Sequence, residues 1–363
     1  MSTTTDGGVV RLTPGRSQAT AALDLLGIEA WWASARMEAV GGGDMRVALA
    51  LGGGGARGYA HIGVIQVLEE SGLEITGVAG SSIGALVGGL YAAGKLDTYV
   101  EWVRSIGHRE VLRLLDPAIR APGAIRADKV MARVGELLDG VRIEQLPMPF
   151  TAVATDLLAR RAVWFQHGPL DIAVRASIAL PPVITPVMVN GRLLADGGLM
   201  DPLPMAPTTS VPADAVVAVS LNGARANFHH AAPIRESADP HPTRVPWNQM
   251  QGDIRPSDRD GIGTGLPDDG DPANDAAMGT ITTEDREPRD LPAGLRGADV
   301  VSLSIEAVED LLIRYRLAGH PPDLLIEIPR DACRGHEFHR APEMIEVGRR
   351  AAHDALASSG FAR

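Results

Sequence analysis

Residues 46–58 read RVALALGGGGARG, and residues 75–94 read ITGVAGSSIGALVGGLYAAG. Both stretches follow one pattern: a short apolar run (Val47–Leu51, then Ile75–Ala79), a glycine-rich turn, and a helix-like continuation. A short apolar run bounded by glycines reads as a buried strand. A strand feeding a helix through a tight turn is the building unit of an α/β fold. The first turn, Gly52–Gly58, leaves a series of backbone N–H groups free to face an anion. The second, Gly80-Ser81-Ser82-Ile83-Gly84, is a G-x-S-x-G turn that can hold Ser82 in a strained conformation between small neighbours. A donor-rich turn beside an exposed serine suits acyl transfer, in which one supplies the nucleophile and the other receives the oxyanion.

Outward from this unit the chain keeps alternating. Helices are predicted over Gly84–Gly94, Leu96–Ile106 and Arg126–Leu138, the last with Val130, Val134 and Leu137–Leu138 in register before Gly140. Strands follow at Pro149–Thr155 and Ala162–Phe165, then a helix over Leu170–Ile178 stopped by Leu180-Pro181-Pro182. Val183–Val189 and Arg192–Ala195 flank Asn190-Gly191, a hairpin signal, and Ala215–Leu221 is a further strand. A helix over Asp299–Leu317, a strand at Leu324–Ile328 and a helix over Pro342–Ala357 close the chain. Strands alternating with helices imply an α/β domain with a mainly parallel sheet.

Two segments stand apart. Residues 1–44 read as a tail followed by a helix from Ser17 to about Val40, whose Trp31 and Trp32 pack on the main body, and Gly41–Gly43 form a joint. Residues 222–298 hold 13 acidic and 8 basic residues, rich in Pro and Gly and without periodicity. A stretch so poor in large apolar groups cannot offset its ordering entropy and reads as a disordered acidic insertion. The expected organisation is a tail plus helix (1–44), a catalytic core (45–222), the insertion (223–298) and a completion of the core (299–363).

The 363 residues are 45% hydrophobic, ample for a buried core, and carry a net charge of −11 that offers no footprint for nucleic acid. The single cysteine, Cys333, can form no internal disulfide and carries no metal pattern, which points to a reducing, cytoplasmic setting. No signal peptide opens the chain and no run approaches ~18 apolar residues, so any membrane contact is expected to be peripheral.

Gly53-x-Gly55-x-x-Gly58 satisfies a dinucleotide fingerprint literally, but the next strand ends in Gly80-Ser81-Ser82, with no carboxylate for a ribose. No Lys-Ser/Thr follows the glycines, so a phosphate loop also fails. An oxyanion hole built on the backbone of this glycine-rich turn fits the neighbouring serine better. Ser82 then needs a base. His229, His230, His241, His320, His336, His339 and His353 lie downstream, none in a motif, and His61 reads as a residue of the first helix. Asp196, in LLADGGLMDPLP, is a loop-borne acid at a strand end, which burial could make basic enough; Asp201 and Asp156 are fallbacks.

Together these motifs resemble the patatin-like phospholipases, and most of all their compact bacterial branch related to neuropathy target esterase. The likeness rests on Gly53-Gly54-Gly55-Ala56-Arg57-Gly58, Gly80-Ser81-Ser82-Ile83-Gly84 and Asp196-Gly197-Gly198, in that order. AHIGVIQVLEESGL after the first motif and RASIALPPV before the third agree as well. The resemblance implies a three-layer α/β/α sandwich and a Ser–Asp dyad without histidine. Ser82 would be the nucleophile and Asp196 the base, and the Gly53–Gly55 backbone with Arg57 nearby would form the oxyanion region. It implies a lipid acyl hydrolase acting on phospholipids or lysophospholipids, with no metal or cofactor. A catalytically silent lipid-binding or scaffolding protein of the same fold is the alternative. Oligomeric state is not legible, and the segments before Arg46 and at 222–298 depart from the family pattern.

Overall fold

The computed structural model describes residues 45–106, 128–181, 183–224 and 297–361. The N-terminal tail and helix and nearly all of the acidic insertion lie outside the described residues. The strands are β1 (Met45–Leu51), β2 (Leu73–Ser81), β3 (Phe150–Asp156), β4 (Arg161–Phe165), β5 (Val187–Val189), β6 (Arg192–Asp196), β7 (Ala215–Gly223) and β8 (Leu324–Pro329). The helices are α1 (Ala60–Glu70), α2 (Ile83–Ala92), α3 (Leu96–Ser105), α4 (Asp128–Leu138), α5 (Leu170–Ser177), α6 (Gly297–Gly319) and α7 (Ala341–Ser359). The described residues up to 224 and those from Val301 onward belong to one compact unit.

One sheet runs in the order β5-β6-β3-β2-β1-β7-β8, with β4 also paired to β3. The pairs β3–β2, β2–β1, β1–β7 and β7–β8 are parallel, while β4 and β6 on β3, and β5 on β6, are antiparallel. From β1 the chain goes outward to β2 and β3, then returns to the other flank of β1 as β7. Connections that leave in opposite directions open a crevice at the carboxyl ends of the strands, where α/β proteins bind ligands.

Side-chain alternation shows the layers. On β1, Val47, Leu49 and Leu51 enter the main core with residues of α1, α2 and α7. Ala50 points the other way, into a second cluster with Leu203, Met205, Ala218 of β7 and Ile313 of α6. Strands buried on both faces read as continuous apolar runs rather than alternating ones, as β1 and β2 do. The result is a three-layer α/β/α sandwich.

Several boundaries differ from the sequence expectation. The helical run after the glycine turn opens with a 3₁₀ turn, Gly55–Tyr59, before α1 begins. The expected strand Val183–Val189 shrinks to the three residues of β5, because only they find a partner, on β6. β7 continues to Gly223, past the expected start of the insertion, because Gly223 still pairs with Pro329.

Candidate active site

Sheet register brings the two motif carboxyl and hydroxyl groups together. Ser81 of β2 is level with Val153 of β3, and the next residue of β3, Ala154, is level with Asp196 of β6. β4 occupies one edge of β3 from Ala152 to Asp156, so β6 takes the other edge where β2 ends. Ser82, one step beyond β2, therefore meets Asp196 at the end of β6. The Ser82 hydroxyl donates to Asp196 Oδ2 at 2.5 Å.

Ser82 sits at φ 55°, a left-handed conformation that costs a non-glycine residue ~1–3 kcal/mol and must be held by its surroundings. Both flanking glycines are required by close approach. A Cβ on Gly80 would collide with the backbone of Gly84, and one on Gly84 with the carbonyl of Leu51. The Ser82 N–H donates to Ser177 Oγ at 2.9 Å, and Ser177 in turn donates to the Val153 carbonyl at 2.5 Å. Between Gly77 and Leu90, Ser82 alone is partly exposed rather than buried. It also caps the amino end of α2, whose dipole favours negative charge at that point.

Asp196 is 2% exposed. Its Oδ1 accepts from the Gly198 N–H at 2.7 Å, and its own N–H donates to the Ala179 carbonyl at 2.9 Å. Burial pushes the carboxyl up to about 6, against the opposing pull of the hydrogen bonds from Ser82 and Gly198. At neutral pH it is thus an ionised group with a much stronger appetite for a proton than a surface aspartate.

The glycine turn lies directly against the serine: a Cβ on Gly53 would be 3.4 Å from Ser82 Cβ. Here the predicted donor set changes. The Gly53 N–H is taken by the Pro202 carbonyl at 2.9 Å, and the neighbouring Gly52 and Ala56 N–H groups by Val219 and Gly335. Among the described residues, the N–H groups of Gly54 and Gly55 have no hydrogen-bond partner, so two of the three expected donors remain for an anion. Gly55 has φ 59°, and Gly54, at φ 156°, has no room for a Cβ beside Leu221. Arg57 is buried at 6% exposure, and its guanidinium donates to the Arg330 carbonyl at 3.0 Å. It ties the turn to the loop after β8.

The fallback acids are engaged elsewhere. Asp156 accepts from the N–H groups of Leu158 and Ala159, closing its own turn. Asp201 is buried and paired with Arg316 of α6 at 3.1 Å. His61 is fully buried, and burial holds its imidazole down at about 4, so it is neutral. A neutral His61 beside the Gly52 carbonyl, 2.8 Å away, carries its proton on Nε2 and donates it there, which fixes the turn. No histidine among the described residues hydrogen-bonds Ser82 or Asp196.

Two further residues belong to the site. Ser177 stood inside a stretch that matched the family, but nothing local marks it as the support of Ser82. Glu309 of α6 leans over Gly198, its Oε1 2.7 Å from where a Cβ on that glycine would be.

Residues 49–209, which include Ser82, Asp196, Ser177 and the glycine turn, match the model of the patatin-like phospholipase family. The fold and the site thus define a patatin-type domain. An uncharacterized NTE family protein of Mycobacterium bovis is 48% identical over 347 residues, covering 89% of this chain and 95% of its own. This chain belongs to the NTE family. Patatin-like phospholipase domain-containing protein 6 of Homo sapiens is 35% identical over 185 residues, and the match covers 48% of this chain and 13% of that protein. The lysophospholipase NTE1 of Mycosarcoma maydis is 35% identical over 181 residues, 49% of this chain and 10% of its own. This chain therefore matches only a small part of those two larger proteins.

Proposed function

We propose that this protein is a serine lipid acyl hydrolase that cleaves fatty acyl esters of phospholipids or lysophospholipids through Ser82 and Asp196. The observation that carries the reading is the 2.5 Å hydrogen bond from the Ser82 hydroxyl to a buried carboxylate. Membership of the NTE family and the lysophospholipase name of a relative support the substrate class.

In the proposed reaction Ser82 Oγ attacks the ester carbonyl carbon as its proton passes to Asp196 Oδ2. The negative charge that leaves Asp196 gathers on the carbonyl oxygen, where the N–H groups of Gly54 and Gly55 and the amino end of α2 receive it. The tetrahedral adduct collapses, the C–O bond to the alcohol breaks, and Asp196 returns the proton to that oxygen. Water then attacks the acyl-serine, giving its proton to Asp196; collapse releases the fatty acid and Asp196 reprotonates Ser82.

Peripheral contact with a lipid surface fits the outward face of α6, where Val301, Leu303, Val308, Leu311 and Tyr315 are exposed. Among the described residues no helix is long and apolar enough to cross a membrane. The test is fatty acid release from lysophosphatidylcholine by the wild type, Ser82→Ala and Asp196→Asn proteins. Turnover retained by either variant would dismiss the dyad.

A further inference from the structure

Glu309 is the one acid of α6 that closes on the dyad. Its Oε1 and Asp196 Oδ1 lie 2.7 and 3.1 Å from the same point, the place a Cβ on Gly198 would fill. The two carboxyl oxygens are therefore within about 6 Å of each other, the range over which one charge moves its neighbour's proton affinity. This also explains the second glycine of the Asp196-Gly197-Gly198 motif, since any side chain at 198 would part the two acids. α6 is anchored there by Arg316, paired with Asp201, and by Asp310, which meets Arg330 at 3.4 Å.

We propose that Glu309 is a positioning residue of this site that sets the basicity of Asp196 according to its own charge. The proposal rests on the Ser82–Asp196 reading above. The groups facing Glu309 are Asp196 from β6, Arg57 from the glycine turn, and Glu306 and Asp310 on its own helix. Burial first, then the charge of Asp196, pushes the Glu309 carboxyl up to about 8. It is a neutral acid when Asp196 has already ionised.

The direction of its effect follows from where charge moves. Gly198 and Glu309 lie on the Oδ1 side of Asp196, while Ser82 binds Oδ2. As Ser82 attacks, negative charge leaves Asp196 for the carbonyl oxygen on the far side of Ser82. An ionised Glu309 repels charge on Asp196 more than charge on that more distant oxygen, so it favours proton transfer from Ser82. Ionisation of Glu309 strengthens the base.

The test is the rate of inactivation of the full-length protein by a fluorophosphonate from pH 5 to pH 10, for wild type, Glu309→Gln, Glu309→Asp and Ser82→Ala. The wild-type rate should rise near pH 6 and again near pH 8. Between pH 6 and pH 9 the ratio of wild-type to Glu309→Gln rates should grow about three- to tenfold. Glu309→Asp should restore the second rise. A ratio that stays constant across the range, whatever its size, would overturn the proposal, because a merely structural role would lower the rate equally at every pH. Wild type that is not labelled, or Ser82→Ala labelled as well, would remove the dyad reading and this proposal with it.

Discussion

Ser177→Ala tests the frame behind the nucleophile rather than the nucleophile itself. Ser177 is fully buried, and its single hydroxyl accepts from the Ser82 N–H and donates to the Val153 carbonyl. Alanine leaves one donor and one acceptor unpaired in the interior, each costing ~1–3 kcal/mol. The expected loss of stability is about 2–6 kcal/mol, or a fall in Tm of roughly 4–24 °C for a domain of this size. Catalysis should suffer separately. Ser82 at φ 55° is held partly by that hydrogen bond, and releasing it lets Oγ drift from Asp196. A displacement near 1 Å costs on the order of 100-fold in rate. Thermal melting and ester hydrolysis measured well below the transition read the two effects independently, and kcat should fall more than KM rises. A Ser177→Ala protein that melts with the wild type and keeps its full rate would refute the reasoning.

Four other outcomes are expected. Asp196→Asn should lose about 10²–10⁴-fold in hydrolysis while remaining folded. Because burial raises the Asp196 carboxyl from 3.8 to about 6, its contribution to stability falls as pH rises through that window, so the variant should melt no lower than wild type at pH 7. The same group should give kcat/KM an acid limb near pH 6, read from a pH–rate profile; a limb near 4 would show that burial does not raise this carboxyl. His61 is depressed from 6.5 to about 4, so the fold should lose stability as pH falls through that interval. His61→Gln, which keeps a donor for the Gly52 carbonyl, should flatten the loss in urea titrations at pH 7 and pH 4.5; an unchanged slope would reassign it. Gly54→Val places a Cβ 2.8 Å from Leu221 Cβ at φ 156°, and should both abolish ester hydrolysis and lower Tm, because Leu221 must move to admit it.

Much of this was written locally. β1 and β2 were legible because strands buried on both faces need unbroken apolar runs, and the turns after them because glycine is demanded by close approach. Asp196 was legible through its Asp-Gly-Gly turn. The rest depends on partners distant along the chain. Ser177 lies 95 positions from the N–H it accepts, within an amphipathic helix where a serine attracts no notice. Glu309 reads as one more polar position on such a helix, and only the fold carries it over Gly198. The loss of Gly53 as a donor follows from Pro202, whose carbonyl no local pattern aims at the turn. Strand β5 was overextended because hydrophobicity marks what can pair, whereas the ladder to β6 reaches only Val187–Val189 although β6 runs on to Asp196.

The pairing of Ala154 with Asp196 has a consequence for how this family can vary. β6 hangs from a tight hairpin at Asn190 (φ 49°) and Gly191 (φ 74°), and loop growth there would be absorbed at the rim. An odd insertion between Arg192 and Asp196 is different in kind. It would rotate every later side chain of the strand to the opposite surface, so that the carboxylate would face away from its alcohol and Leu194 would leave its place beside Ala154 and Ala176. Natural length changes in this stretch should therefore come in twos or not at all.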